Sequence, residues 1–148
     1  MQSHTLSDAD RTFRTAFETC AIAPAAFSHE AHVRLAYVYL SEHGTEEAIA
    51  RMRNALQQFL AHNGIPATKF HETLTRAWIL AVGYFMGKAS STSSADFIEK
   101  NPELLDSGIM LTHYSAQVLF SPDARASYVE PDLDPIPVSD KAARGGAA

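Results

Sequence analysis

Two histidines three residues apart, His29 and His32, open a long apolar stretch in the segment Phe27-Ser28-His29-Glu30-Ala31-His32-Val33-Arg34-Leu35-Ala36. At positions i and i+3 of a helix their imidazoles can point at one spot. The segment Phe70-His71-Glu72-Thr73-Leu74-Thr75 repeats the theme of an aromatic residue, a histidine and a glutamate at a helix start. A further histidine, His113, stands beside Tyr114 in a third apolar stretch that holds Met110, Gln117 and Val118. Facing helices that supply inward histidines are a usual way to build a metal site in a bundle. Helix N-termini disfavour an extra proton, which helps keep His29 and His71 neutral and able to ligate. The expectation is one transition metal ion, held by three of His29, His32, His71 and His113 with one position open. Imidazole-only ligation suits Zn, Fe, Ni or Cu.

The competing reading of the same residues is a metal-free polar core, in which each histidine is satisfied by hydrogen bonds. The spacing fits neither His-Glu-x-x-His nor the Glu-x-x-His pair of di-iron bundles, so a mononuclear site is preferred to a dinuclear carboxylate one. Glu30 and Glu72 each follow a ligand candidate directly and so point about 100° away on a helix. They read either as i,i+4 ion pairs with Arg34 and Arg76, or as groups that orient an imidazole N–H or act as a general base. Tyr114 reads as ligand, proton donor or substrate hydrogen-bonder, or as a packed residue with its hydroxyl bonded. Thr75 can bond back to the carbonyl of His71. Tyr37, Tyr39, Phe70 and Trp78 read as core. His43 and His62 each fall in a last helical turn before glycine and read as structural, while His4 falls in an end expected to fray.

The elements that must position these residues follow from periodicity and caps. Ser7 caps a first helix that runs to about Cys20, with Asp8 and Asp10 in its first turn and Cys20 on its apolar stripe. Ser28 caps a second helix that ends before Gly44, and its interior from Val33 to Leu40 is apolar nearly all round, as in a helix buried on more than one side. A third is capped by Thr45 and stops at Asn63-Gly64. A fourth runs from about Thr68 to Met86, and residues 88–94 then read as a polar surface loop. Short helices are expected at Ala95–Lys100 and Pro102–Asp106, then a longer one at Ile109–Phe120 and one more turn from Ser121. Prolines and aspartates beyond Glu130 make Tyr128–Val138 an extended arm over the bundle. The fold class is therefore all-α: an up-and-down bundle of four to five main helices with a Pro/Asp-rich C-terminal arm. Residues 1–138 form one domain and 139–148 a disordered tail.

Composition narrows the function classes. A formal net charge of −5 and no Lys/Arg run argue against nucleic acid and anionic membranes as partners. The longest apolar run, Ala77–Val82, is far short of a membrane span. The lone Cys20 and an N-terminus without a basic start and apolar core fit a cytoplasmic protein. The C-terminal arm or a second subunit, in a homodimer, is expected to cover the most apolar helices. There is no Gly-rich phosphate loop, nucleophile elbow or Cys/His dyad.

The histidine-bearing helices resemble those of small bundle metalloproteins of the DinB type, which use three histidines on a similar scaffold. The ligand order departs from that pattern, with the His29/His32 pair first, then His71, then His113, so no function is carried over. The resulting expectation is a small metal-dependent enzyme on a small organic substrate, by Zn-assisted hydrolysis or lyase chemistry or by oxygen activation on Fe or Cu. The alternative is a non-catalytic helical module that binds a metal, a ligand or a partner around a polar histidine core. Three histidines around an open pocket favour the enzyme; histidines bonded only to backbone favour the module.

Overall fold

The computed structural model describes residues 2–138. The expected disordered tail, 139–148, lies outside the described residues. Four longer helices are α1 (Asp8–Glu18), α2 (His29–Glu42), α3 (Thr45–His62) and α4 (Glu72–Met86). They are followed by α5 (Ser94–Lys100), α6 (Ala116–Leu119) and α7 (Pro122–Ala126), with two 3-10 segments, Pro102–Leu105 and Ser107–Thr112, between α5 and α6. The described residues contain no named strand, so the chain is the all-α bundle expected. No helix among them is long and apolar enough to cross a membrane.

α2 is the central element and packs against α1, α3, α4 and α5. Val33 and every residue from Leu35 to Tyr39 are buried, as the all-round apolar pattern requires. Ser28 caps this helix by accepting a hydrogen bond from the amide of Ala31. α4 is the second inner helix, with Ala77, Trp78, Ile79 and Val82 buried between α2, α3 and α7.

Several boundaries differ from the sequence expectation, each for a local reason. α1 stops at Glu18 rather than Cys20, because Thr19 is its cap and Cys20 adopts a left-handed φ of 59°. The amides of Cys20 and Ala21 then close on the carbonyls of Phe17 and Ala16, a Schellman closure that satisfies the helix end. Gly64, with φ of 65°, does the same after α3, where glycine carries no Cβ penalty. Thr45 does not cap α3; Gly44 holds that position without a side-chain bond.

α4 begins at Glu72 rather than Thr68. Ala67–Lys69 forms a separate 3-10 turn, and His71 is the N-cap. The expected Ile109–Phe120 helix is two pieces: a 3-10 segment, Ser107–Thr112, and α6. Ser115 breaks them apart by capping α6, its hydroxyl accepting from the amide of Val118.

The N-terminal end is docked, not frayed. His4 forms a parallel bridge with Ser91, and the amides of Thr5 and Ser91 donate to the carbonyls of Ser91 and Ser3. Ser91 is accordingly buried, which corrects the reading of 88–94 as a surface loop throughout. Beyond α7 the chain runs without regular structure as far as Val138, the extended arm expected from its prolines and aspartates.

Candidate functional site

Each candidate histidine is best described by what its ring nitrogens touch. His71, at the cap position, is 8% exposed. Its Nδ1 accepts from the amide of Leu74 at 3.1 Å, doing at the start of α4 what Ser or Asp does elsewhere. An amide can only donate, so Nδ1 carries no proton and the ring's single N–H lies on Nε2. That N–H donates to the carbonyl of Leu119, at the end of α6, at 2.7 Å. Both nitrogens are thereby committed to backbone, and no lone pair is left for a metal. Thr75 bonds back to the carbonyl of His71 at 2.8 Å, as its spacing allows. Burial disfavours the charged ring, and His71 titrates below the ordinary histidine range although the bond to Leu119 acts against that shift.

His29 donates from Nε2 to the carbonyl of Leu104, at 2.9 Å, and lies edge-on to Trp78 with ring centres 4.5 Å apart. His113 donates from Nδ1 to the carbonyl of Asp134 in the arm, at 2.8 Å. His4, set aside on the sequence as part of a frayed end, donates from Nε2 to the carbonyl of Met86 at 2.6 Å. All four bonds are long in sequence, spanning 82, 75, 48 and 21 residues for His4, His29, His71 and His113.

His32 is the exception. It packs edge-on to Phe27 at 5.9 Å between ring centres, and its Nε2 is closed off from solvent with no hydrogen-bond partner among the described residues. Burial, with a smaller contribution from the neighbouring His29, pushes it down to about 4.

The structure therefore places His29 and His32 on successive turns of α2, near enough for one to act on the charge of the other but on different partners, and does not add His71 or His113 to them. Among the described residues no group of three or more His, Cys, Asp or Glu side chains is placed to hold a metal ion. For His71 the donor chemistry agrees, because an imidazole that donates from one nitrogen and accepts a backbone amide at the other cannot ligate. His71 does not fit the metal centre expected of it, while His29 and His113 each keep one ring nitrogen uncommitted but are not gathered with a third ligand among the described residues.

Two of the three candidate catalytic residues, Glu72 and Tyr114, are likewise engaged elsewhere. Glu72 does not pair with Arg76. It forms a two-pronged ion pair with Arg53 of α3, at 2.8 and 2.7 Å, while Arg76 pairs with Glu46. Glu30 is exposed and makes no ion pair with Arg34. Tyr114 is fully buried and donates its hydroxyl to the carbonyl of Val129 at 2.6 Å. Burial raises its pKa well above the ordinary tyrosine range, so it is neither an acid nor a phenolate ligand near neutral pH.

Sequence reasoning missed a different polar centre. Asp10, read only as a first-turn carboxylate, is 1% exposed. It receives the amides of Ser7 and Ser94 at 3.2 and 2.9 Å, Arg34 Nε at 3.2 Å and the Ser94 hydroxyl. Burial would raise this carboxyl, but the bonds from Ser94, Ser7 and Arg34 outweigh it and hold it below the ordinary range. Two signals were available: Ser7-x-x-Asp10 is a capping-box spacing, and Arg34 interrupts the most apolar helix of the chain. No family model, curated protein or solved structure matches the chain.

Proposed function

We propose that the chain is a non-catalytic helical binding module whose histidines are structural clasps rather than metal ligands. The observation that carries this reading is the shared role of His4, His29, His71 and His113, each of which donates a ring N–H to a distant backbone carbonyl. Each carbonyl lies at a helix end, in a 3-10 turn or in the arm, where a backbone acceptor otherwise lacks a partner. A histidine suits that task because its neutral ring combines an apolar body with one directed donor. The candidate acid–base groups support the same reading: Glu72 is neutralised by Arg53, and Tyr114 is committed to Val129.

The test is elemental analysis by mass spectrometry of protein purified without an affinity tag or chelator, followed by titration with Zn and Co salts. The expected result is well under one equivalent of any transition metal and no rise in melting temperature on titration, since a ligand that binds only the folded state must raise it. About one equivalent of a single metal, lost in His71→Ala but kept in His62→Ala, would overturn the proposal and restore the metalloenzyme.

A further inference from the structure

A groove of about 610 Å³ opens between α1, the start of α2 and α5. Its walls include the half-buried apolar side chains Phe13, Ile22 and Ile98, with Ala31 and Ala95 between them and Arg34 on the α2 side. Arg34 is held rigidly on two sides. Its Nε edge donates to Asp10 at 3.2 Å and to the Ser94 hydroxyl at 3.1 Å, and the guanidinium lies over the Phe13 ring at 4.5 Å. Its two terminal nitrogens, Nη1 and Nη2, have no hydrogen-bond partner among the described residues. The end-on edge, Nη1 and Nη2, is left able to donate two parallel hydrogen bonds to a carboxylate. Asp10 cannot move to fill it, being fixed by four bonds that reach it from two helix starts and from Arg34 itself.

We propose that this groove binds a monocarboxylate with a short apolar body. The carboxylate sits on the Nη edge of Arg34 and the hydrocarbon lies against Phe13, Ile22 and Ile98. A single oriented cation, beside the exposed and unpaired Glu30 on the same wall and in a chain of net charge −5, selects against polyanions such as nucleotides. This deepens the binding-module reading and rests on it, by naming the site and the class of ligand.

The experiment is a titration of ¹⁵N-labelled protein with hexanoate, followed by amide chemical shifts, with hexylamine and hexanol as controls. A ligand of this size binds with a dissociation constant on the order of 1 mM. The expected result is saturable shifts confined to α1, the start of α2 and α5, with hexylamine and hexanol at least about 5-fold weaker because they lack the charge-assisted pair. Ala31→Trp places a bulky ring in the groove one helical turn before Arg34 and abolishes the saturable shifts while amide dispersion is kept. Arg34→Lys keeps the charge but loses the planar fork and weakens hexanoate about 5-fold or more. Glu30→Gln removes the like charge on the same wall and tightens it by about 2-fold. Absence of saturation up to about 50 mM, equal binding of hexylamine, or binding unaffected by Ala31→Trp would overturn the site. Those outcomes are read on metal-free protein, whereas failure of the module reading appears as stoichiometric metal in the elemental analysis.

Discussion

His71 stands between two backbone groups that fix its proton: it accepts from the amide of Leu74 at 3.1 Å and donates to the carbonyl of Leu119 at 2.7 Å. One side chain thus caps α4 and ties it to α6, 48 residues later. His71→Ala removes a cap, for about 1 kcal/mol, and leaves the Leu119 carbonyl unsatisfied, for about 1–3 kcal/mol more. His71→Asn restores the cap alone and should recover about 1 kcal/mol of that loss. Urea unfolding of the three proteins measures both terms, and equal stability of His71→Ala and wild type would show that the bridge contributes nothing.

His32 makes the fold sensitive to mild acid. Its imidazole is less basic in the folded chain, at about 4 against 6.5, so between those values the unfolded chain binds more protons. Stability is therefore full above about pH 6.5 and declines as pH falls to about 4. At 1.36 kcal/mol per pH unit that gap amounts to at most about 3 kcal/mol. His71 is shifted in the same direction and adds to the slope. His32→Leu removes the buried, unpartnered nitrogen and should flatten most of the pH 4–6.5 limb, leaving the part due to His71, in thermal melts across that range. An unchanged slope in His32→Leu would assign the acid sensitivity elsewhere.

Asp10 governs a lower pH range. Its folded pKa is depressed, so its contribution is present above the ordinary value of 3.8 and is lost as pH falls through the folded one. Asp10→Asn turns an amide NH₂ toward groups that all donate, and leaves Arg34 without its buried counter-charge. The expected loss is about 3 kcal/mol at neutral pH, with Ser94→Ala costing about 1 kcal/mol. Urea midpoints at pH 7 test the order of the two. A loss for Asp10→Asn within about 0.5 kcal/mol of zero would contradict the hub.

How much of this was legible in the chain depended on how local the cause was. The burial of α2 and its start at Ser28 were legible, because an all-round apolar run and a serine cap are properties of neighbouring residues. The arm was legible because proline removes the donors that helices and central strands need. The placing of His29 and His32 on successive turns of one helix followed from spacing alone. By contrast, Glu72 was expected to pair one turn along its own helix, yet Arg53 reaches it from α3 with both prongs. Asp10 is buried because Ser94, 84 residues away, delivers the start of α5 onto it. Cys20 lay on an apolar stripe but follows the helix in a left-handed turn, a role that sequence more often gives to glycine. The histidines were legible as inward-facing but not as clasps, because their partners are backbone carbonyls, which carry no residue type to read.

The arm from Ser127 onward is held by α4 and by Tyr114. Thr73 donates to the carbonyl of Ser127 at 3.0 Å and accepts from the amide of Val129 at 3.1 Å, while the Tyr114 hydroxyl donates to the Val129 carbonyl at 2.6 Å. His113 and Ser115 secure the next turn through Asp134 and Asp132. These bonds anchor the arm without being part of the helix-to-helix packing, so their loss should free it before it unfolds the bundle. Tyr114→Phe and Thr73→Val should each cost about 1 kcal/mol, and the double variant should speed amide hydrogen exchange at residues 127–134 by about 10-fold or more. Exchange within α2 should stay in step with global stability. Equal acceleration in α2 and in the arm would mean that the arm is an integral part of the core and not a strap laid over it.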